Sequence, residues 1–208
     1  MKSRRFLFSL FAVALLLACS LVLVLSRRLQ TLTLAYRKLR VLSVLPHAGA
    51  VVPTFRALTL AGDSVTVGEG DDSAAAQVLF VFNTSCPFCR ETLPVWKRLS
   101  DSLGRLRRPV QVLGISLDSA GVTSRYVFQH QLQFSVLTFP VPKLVRLYRA
   151  TSVPQTVVLD HTGTVAYART GLLTAPKVLD SIYRAVALVN RDTGMAAAGK
   201  KAGARPQD

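Results

Sequence analysis

Two cysteines stand three residues apart in Asn83-Thr84-Ser85-Cys86-Pro87-Phe88-Cys89-Arg90. Thiols at that spacing can form a structural disulfide, hold half of a metal site, or exchange disulfides with another molecule. Their neighbours weigh these options. Val78–Phe82, just upstream, is an unbroken apolar run, the mark of a strand covered on both faces. Cys86–Leu103 carries a helical pattern. The pair therefore lies where a strand hands over to a helix. A helix N-terminus presents unpaired N–H groups and a partial positive charge, and both stabilise a thiolate. Two cysteines on the first turn share one face. Pro87 suits that turn, where its missing N–H costs nothing, and Arg90 adds positive charge. The chemistry expected is exchange: Cys86 attacks a partner disulfide, a mixed disulfide forms, and Cys89 resolves it.

Zinc would need two further ligands. The other candidates are Cys19, inside an apolar stretch, and His47, His130 and His161, scattered singly. No metal site and no cofactor is expected. A structural disulfide would not need a strand-to-helix junction.

The elements that would position the pair alternate. Phe55–Leu60 and Ser64–Val67 flank Ala61-Gly62-Asp63 as a short hairpin, and Thr156–Asp160 and Val165–Ala168 flank His161-Thr162-Gly163-Thr164 as a second. Val110–Leu117 reads as a strand, and Gly121–Leu132 and Lys143–Arg149 as helices. Pro176–Val189 is an amphipathic helix with Leu179, Ile182, Val186 and Val189 on one stripe. Alternating strands and helices followed by a late hairpin predict an α/β domain, a mixed central sheet with helices on both faces.

The chain has 208 residues, half of them apolar, enough for one domain with a sizeable core. That excludes disorder as the main description. Three cysteines are too few for a disulfide-stapled scaffold, and no repeat suggests a solenoid. The net charge of +15 suggests nucleic acid at first. Its distribution points elsewhere: residues 1–45 carry +8 with no acidic residue, residues 46–190 carry +5, and residues 191–208 carry +2. Most of the excess flanks an apolar segment, where basic residues meet lipid head groups. No groove-reading motif accompanies it, so no nucleic-acid partner is expected.

That segment, Phe6–Leu25, is 20 residues without a charge. At about 1.5 Å per residue, a helix of this length spans about 30 Å, the thickness of a bilayer core. It exceeds the apolar stretch of a cleaved signal peptide. Residues 1–26 are therefore read as an N-terminal signal anchor, one transmembrane helix contacting membrane lipid. Residues 27–47 are a basic linker, 48–190 the globular domain, and 191–208 a disordered tail. Leu16-Leu17-Ala18-Cys19 resembles a lipoprotein box, but Leu17 fits it poorly and the apolar run continues past it. Lys2, Arg4 and Arg5 before the anchor are opposed by Arg27, Arg28, Arg37, Lys38 and Arg40 after it, so charge alone leaves orientation nearly balanced.

Val81 through Arg90, with Pro94 five residues after Cys89, resembles the active-site segment of thioredoxin-fold proteins. Ser152-Val153-Pro154-Gln155-Thr156 is similar to that family's cis-proline loop. The resemblance implies a cis Val153–Pro154 bond facing the cysteines, where the loop docks the substrate chain. It implies a helix kink at Pro94 as well. Over about residues 49–190 the chain looks like the membrane-anchored TlpA/ResA-type (redoxin) thiol–disulfide oxidoreductases. Pro53-Thr54-Phe55-Arg56-Ala57-Leu58 resembles their leading hairpin, and Ile115–Asp118 through Phe139-Pro140-Val141 their central insert. That implies a protein-disulfide reductase on the outer side of the cytoplasmic membrane, facing the periplasm or exterior. A membrane electron donor and a disulfide-bearing protein would be its partners, with cytochrome maturation one setting. Cys86 and Cys89 would be catalytic, Val153 and Pro154 substrate-binding, and Pro87, Phe88 and Arg90 supports of the motif.

Some positions depart from the family pattern. Ser85 stands where an aromatic residue is usual, and Thr92 where many members carry Glu. Asp118, at a strand end, is either a proton-transfer acid or a helix cap; Trp96 is assigned to the core. Two other readings use the same fold. A peroxiredoxin-like peroxidase expects a Pro and a Thr upstream of its cysteine; Thr84 is present, but no Pro lies between Pro53 and Cys86. A copper chaperone could hold Cu(I) on two thiolates with a distant His, for which His161 is the candidate.

Overall fold

The computed structural model describes residues 17, 19–32, 45–68, 76–108 and 110–203, with side chains to residue 191. Residues 19–32 are helical, and Leu21, Val22, Leu23, Val24 and Leu25 on them are exposed. The rest of the expected anchor, and linker residues 33–44, lie outside the described residues. No helix among the described residues is long and apolar enough to cross a membrane.

From residue 44 onward the chain forms one compact unit. A hairpin leads: β1 (Phe55–Leu58) pairs antiparallel with β2 (Ser64–Val67). Five further strands make the sheet: β3 (Ala76–Phe82), β4 (Val110–Ser116), β5 (Ser135–Thr138), β6 (Gln155–Asp160) and β7 (Val165–Thr170). Their order is β5-β4-β3-β6-β7. β3 runs parallel to β4 and β4 to β5, while β6 is antiparallel to both β3 and β7. The helices are α1 (Pro87–Gly104), α2 (Ala120–His130), α3 (Pro142–Leu147) and α4 (Pro176–Gly203).

β3 is buried along its whole length because both of its faces are covered. Its side chains alternate with the pleat. Val78, Phe80 and Phe82 enter the core shared with Leu93, Trp96 and Leu99 of α1, Tyr126 of α2 and Ile182 and Val186 of α4. Leu79 and Val81 enter the other core, with Ile115, Leu144 of α3, Tyr148 and partly buried Phe55 of the hairpin. This is the mixed, two-sided sheet that the element pattern predicts.

Three elements differ from expectation. β5 differs from the pattern: it is a four-residue edge strand that pairs with β4, and its central Val136 and Leu137 are buried. α3 is shorter than Lys143–Arg149 and starts at Pro142, whose fixed φ suits a first turn. α4 runs past Val189 to Gly203, through residues read as a disordered tail. Ala, Lys and Met in Met195–Lys201 are strong helix formers, and no proline intervenes before Pro206.

The leading hairpin is fixed to the sheet at the β6–β7 turn. Val52 N–H donates to the Gly163 carbonyl at 3.0 Å. Gly163 has φ +77°, and a Cβ there would come within 2.1 Å of the Gly68 carbonyl oxygen, so only glycine allows the approach.

Candidate active site

β3 emerges at Phe82, the chain turns through Asn83, Thr84 and Ser85, and Cys86 caps α1. Cys86 is extended (φ −76°, ψ 117°) and its sulfur accepts the Cys89 N–H at 3.4 Å. The thiol thus takes the place that a Ser or Asp side chain fills at other helix starts. Pro87 occupies the first turn, as expected. Pro94 lies inside the helix, where it has no N–H to offer the Arg90 carbonyl.

The two sulfurs differ in access. Cys86 is half-buried, while Cys89 is 0 % exposed among Phe82, Leu93 and Trp96. Burial pushes the Cys89 thiol up to about 12. A hydrogen bond from the Asn83 backbone acts the other way, and Cys86 and Asp118 raise it further. Phe88 is 56 % exposed beside the pair, and Arg90 is exposed one turn along.

Across the sheet end lies the β6 loop. The Val153–Pro154 bond is cis, and the Cys86 sulfur lies 3.9 Å from the Val153 carbonyl oxygen. Of the residues singled out in sequence, Cys86, Cys89, Pro87, Phe88 and Val153–Pro154 are therefore brought together, and Arg90 borders them. His161 is on the β6–β7 turn, at the end of β6 opposite Gln155 and the cis-proline loop. No cluster of three or more His, Cys, Asp or Glu suited to a metal occurs among the described residues.

Asp118 is not a helix cap; Ser119 holds that place for α2. The Asp118 carboxylate instead accepts from Asn83 Nδ2 at 2.8 Å and from the Thr84 N–H at 2.6 Å. Asn83 Oδ1 in turn accepts from the Ser85 N–H at 2.9 Å. This chain of bonds fixes the turn that delivers Cys86 to its helix. Trp96 is in the core: it stacks on Phe80 with centroids 5.0 Å apart and donates from Nε1 to Thr156 Oγ1 at 2.9 Å. Thr92, in place of an acid, is buried and donates to the Phe88 carbonyl at 2.8 Å.

Sequence reasoning passed over Tyr126 of α2. Its ring stacks on Phe82, centroids 5.6 Å apart, and meets the His130 ring at 4.3 Å. Nothing local marks it, since it is one buried aromatic residue in a helix.

The strand order, with a dithiol capping the helix after the central strand, is that of a thioredoxin-like α/β fold. Residues 48–168 match the AhpC/TSA family, and the chain belongs to that family. No curated protein matches it. Among solved structures it is similar to StoA from Bacillus subtilis, with 18 % identity over 64 % of this chain and 98 % of that one, at a TM-score of 0.54. It is similar to a thiol:disulfide interchange protein of the thioredoxin family from Chlorobium tepidum, with 19 % identity over 69 % and 98 % of the two chains and a TM-score of 0.52. A peroxiredoxin-like protein from Aquifex aeolicus gives 18 % identity, 68 % and 90 % coverage and a TM-score of 0.52. At these identities the likeness is one of fold.

Proposed function

We propose that the protein is a thiol–disulfide oxidoreductase that reduces disulfides in other proteins. The observation that carries this reading is the asymmetry of the dithiol: an accessible Cys86 sulfur, 3.9 Å from the Val153 carbonyl of a cis-proline loop, above a buried Cys89. An incoming disulfide can reach the first sulfur and not the second. Cys86, as its thiolate, attacks one substrate sulfur and displaces the other as a thiolate. Cys89 then attacks the Cys86 sulfur, and the substrate sulfur held on Cys86 departs, taking up the proton that Cys89 gives up. The substrate is reduced by two electrons, and the Cys86–Cys89 pair becomes a disulfide. Val153–Pro154 would line the substrate chain, and Phe88 would offer it an apolar contact.

In the full reading the protein is of the TlpA/ResA type. Residues 6–25 anchor it in the cytoplasmic membrane, the domain works on the outer side, and a membrane electron donor reduces the pair again. The uncharged 20-residue run and its basic flanks support the anchor.

The test is the reduction potential of the pair in the full chain, together with capture by Cys89→Ser. A potential near or below about −230 mV, with substrate held on Cys86, supports a reductase. A potential near about −120 mV reverses the direction to disulfide donation. Failure to form the disulfide sinks the redox reading. The family match keeps a peroxidase in view; rapid peroxide consumption by Cys86 would replace the exchange reading.

A further inference from the structure

A carboxylate close to two thiols that must become anions needs a reason. Asp118 follows β4 and is half-buried. As a charge it works against the pair, since it raises the Cys89 thiol. What it supplies instead is acceptors for the turn between β3 and α1.

One carboxylate oxygen takes Asn83 Nδ2 at 2.8 Å and the other takes the Thr84 N–H at 2.6 Å, short bonds of the kind an ionised acceptor makes. Asn83 then organises the residues that follow. Its Oδ1 accepts the Ser85 N–H at 2.9 Å and the Ser85 hydroxyl at 2.5 Å, and its carbonyl accepts the Cys86 N–H at 3.2 Å. Asp118 is itself held in place. The neighbouring Leu117 N–H donates to the Phe82 carbonyl at 2.9 Å, and the Asp118 N–H donates to Ser116 Oγ at 3.2 Å. The buried hydroxyl of Thr123, on α2, donates to the same Ser116 oxygen at 2.8 Å. A run of hydrogen bonds therefore joins α2 to the attacking cysteine, and Asp118 is its one charged member.

The Cys86 sulfur draws its reactivity from its place. It accepts the Cys89 N–H at 3.4 Å at the positive end of α1, and it faces the Val153 carbonyl at 3.9 Å. A slack turn would carry it away from both.

We infer that Asp118 is a positioning residue for the attack: through Asn83 and Thr84 it holds the turn so that the Cys86 sulfur stays at the head of α1. The role rests on the exchange reading proposed above. Position and charge predict opposite signs. Removing a repelling charge makes the Cys86 thiolate easier to form, whereas loosening the turn makes it harder.

The test uses the full chain in a Cys19→Ser background and 5,5′-dithiobis(2-nitrobenzoate) as the disulfide. The Cys86 thiolate bonds to one half of the reagent and expels the other as thionitrobenzoate; Cys89 then expels the second half. The first release is followed across pH. In Asp118→Asn it slows by about tenfold, the low end of what a hydrogen bond to a charged group is worth, and its pH midpoint moves upward. Asn83→Ala, which keeps the carboxylate, does the same. The double variant is no slower than the slower single, because the two residues act in one chain. A faster first release or a lower midpoint in Asp118→Asn would overturn the role and leave Asp118 a repelling charge. A parent-like profile in either variant, whatever its stability, would overturn it by making the network purely structural. Effects that multiply in the double variant would overturn it too, since Asp118 would not act through Asn83. If Asp118→Asn does not fold, Asn83→Ala decides alone by the same sign. If the parent releases no second equivalent, the exchange reading fails before any variant is consulted.

Discussion

The two faces of the central sheet are both sealed by aromatic clusters, yet they hold their tyrosines differently. On one face Phe55, Phe139 and Tyr148 form a triangle with centroids 5.4–5.7 Å apart. Tyr148 closes it by donating to the Pro53 carbonyl at 2.7 Å, which ties the leading hairpin to the segment after α3. On the other face Phe80, Phe82, Phe134, Trp96 and Tyr126 surround the base of the dithiol helix. There Trp96 is satisfied by Thr156, and Tyr126 is left open. One face spends its polar atoms on holding the fold. The other leaves the Tyr126 hydroxyl without a partner among the described residues.

The largest expected effect comes from the sulfur-bearing face. Trp96 is fully buried between Phe80 and Phe82, and Trp96→Ala should cost about 3–5 kcal/mol in denaturant unfolding. It also leaves the buried Thr156 hydroxyl without its donor. Phe55 on the other face is only half-buried, so Phe55→Ala should cost less. The opposite order would break the ranking of the two clusters.

The next effect is one of pH. Burial raises the Cys89 thiol from about 9 to about 12, and Tyr126 rises from about 10 to about 12. Between those values the folded chain keeps protons that the unfolded chain has lost. Stability is therefore unaffected below about pH 9 and falls as pH climbs toward 12. Cys89→Ala should flatten the first part of that decline. Parallel unfolding profiles for the two proteins between pH 8 and about 11 would mean that the Cys89 sulfur is not in a dry site.

Much of this was legible in the chain because it is local. The apolar run into β3, the cysteine spacing, Pro87 and the pattern of α1 all lie within about 25 residues, and each is a short-range rule. The hairpins showed through Ala61-Gly62-Asp63 and Thr162-Gly163. What escaped was long-range. β5 has only four residues, and its strand character comes from pairing with β4. Asp118 looked like a cap because its partners, Asn83 and Thr84, are 35 and 34 residues away. Tyr126 carries no local signal at all: its place is set by Phe82, which a distant strand brings to it. α4 runs on through residues 191–203, since composition without an apolar stripe can still propagate a helix already begun.

The smallest effects sharpen the comparison most. Tyr148→Phe removes the bond to the Pro53 carbonyl, so it should cost about 1 kcal/mol in denaturant unfolding. Tyr126→Phe removes a hydroxyl that bonds to nothing among the described residues, so its unfolding free energy should move by no more than about 0.5 kcal/mol, in either direction. The two substitutions delete the same atom from two buried rings. If Tyr148→Phe costs clearly more than Tyr126→Phe, only the Tyr148 hydroxyl holds the fold. If Tyr126→Phe instead costs as much stability as Tyr148→Phe, its hydroxyl has a resting partner, and it is as structural as its counterpart across the sheet.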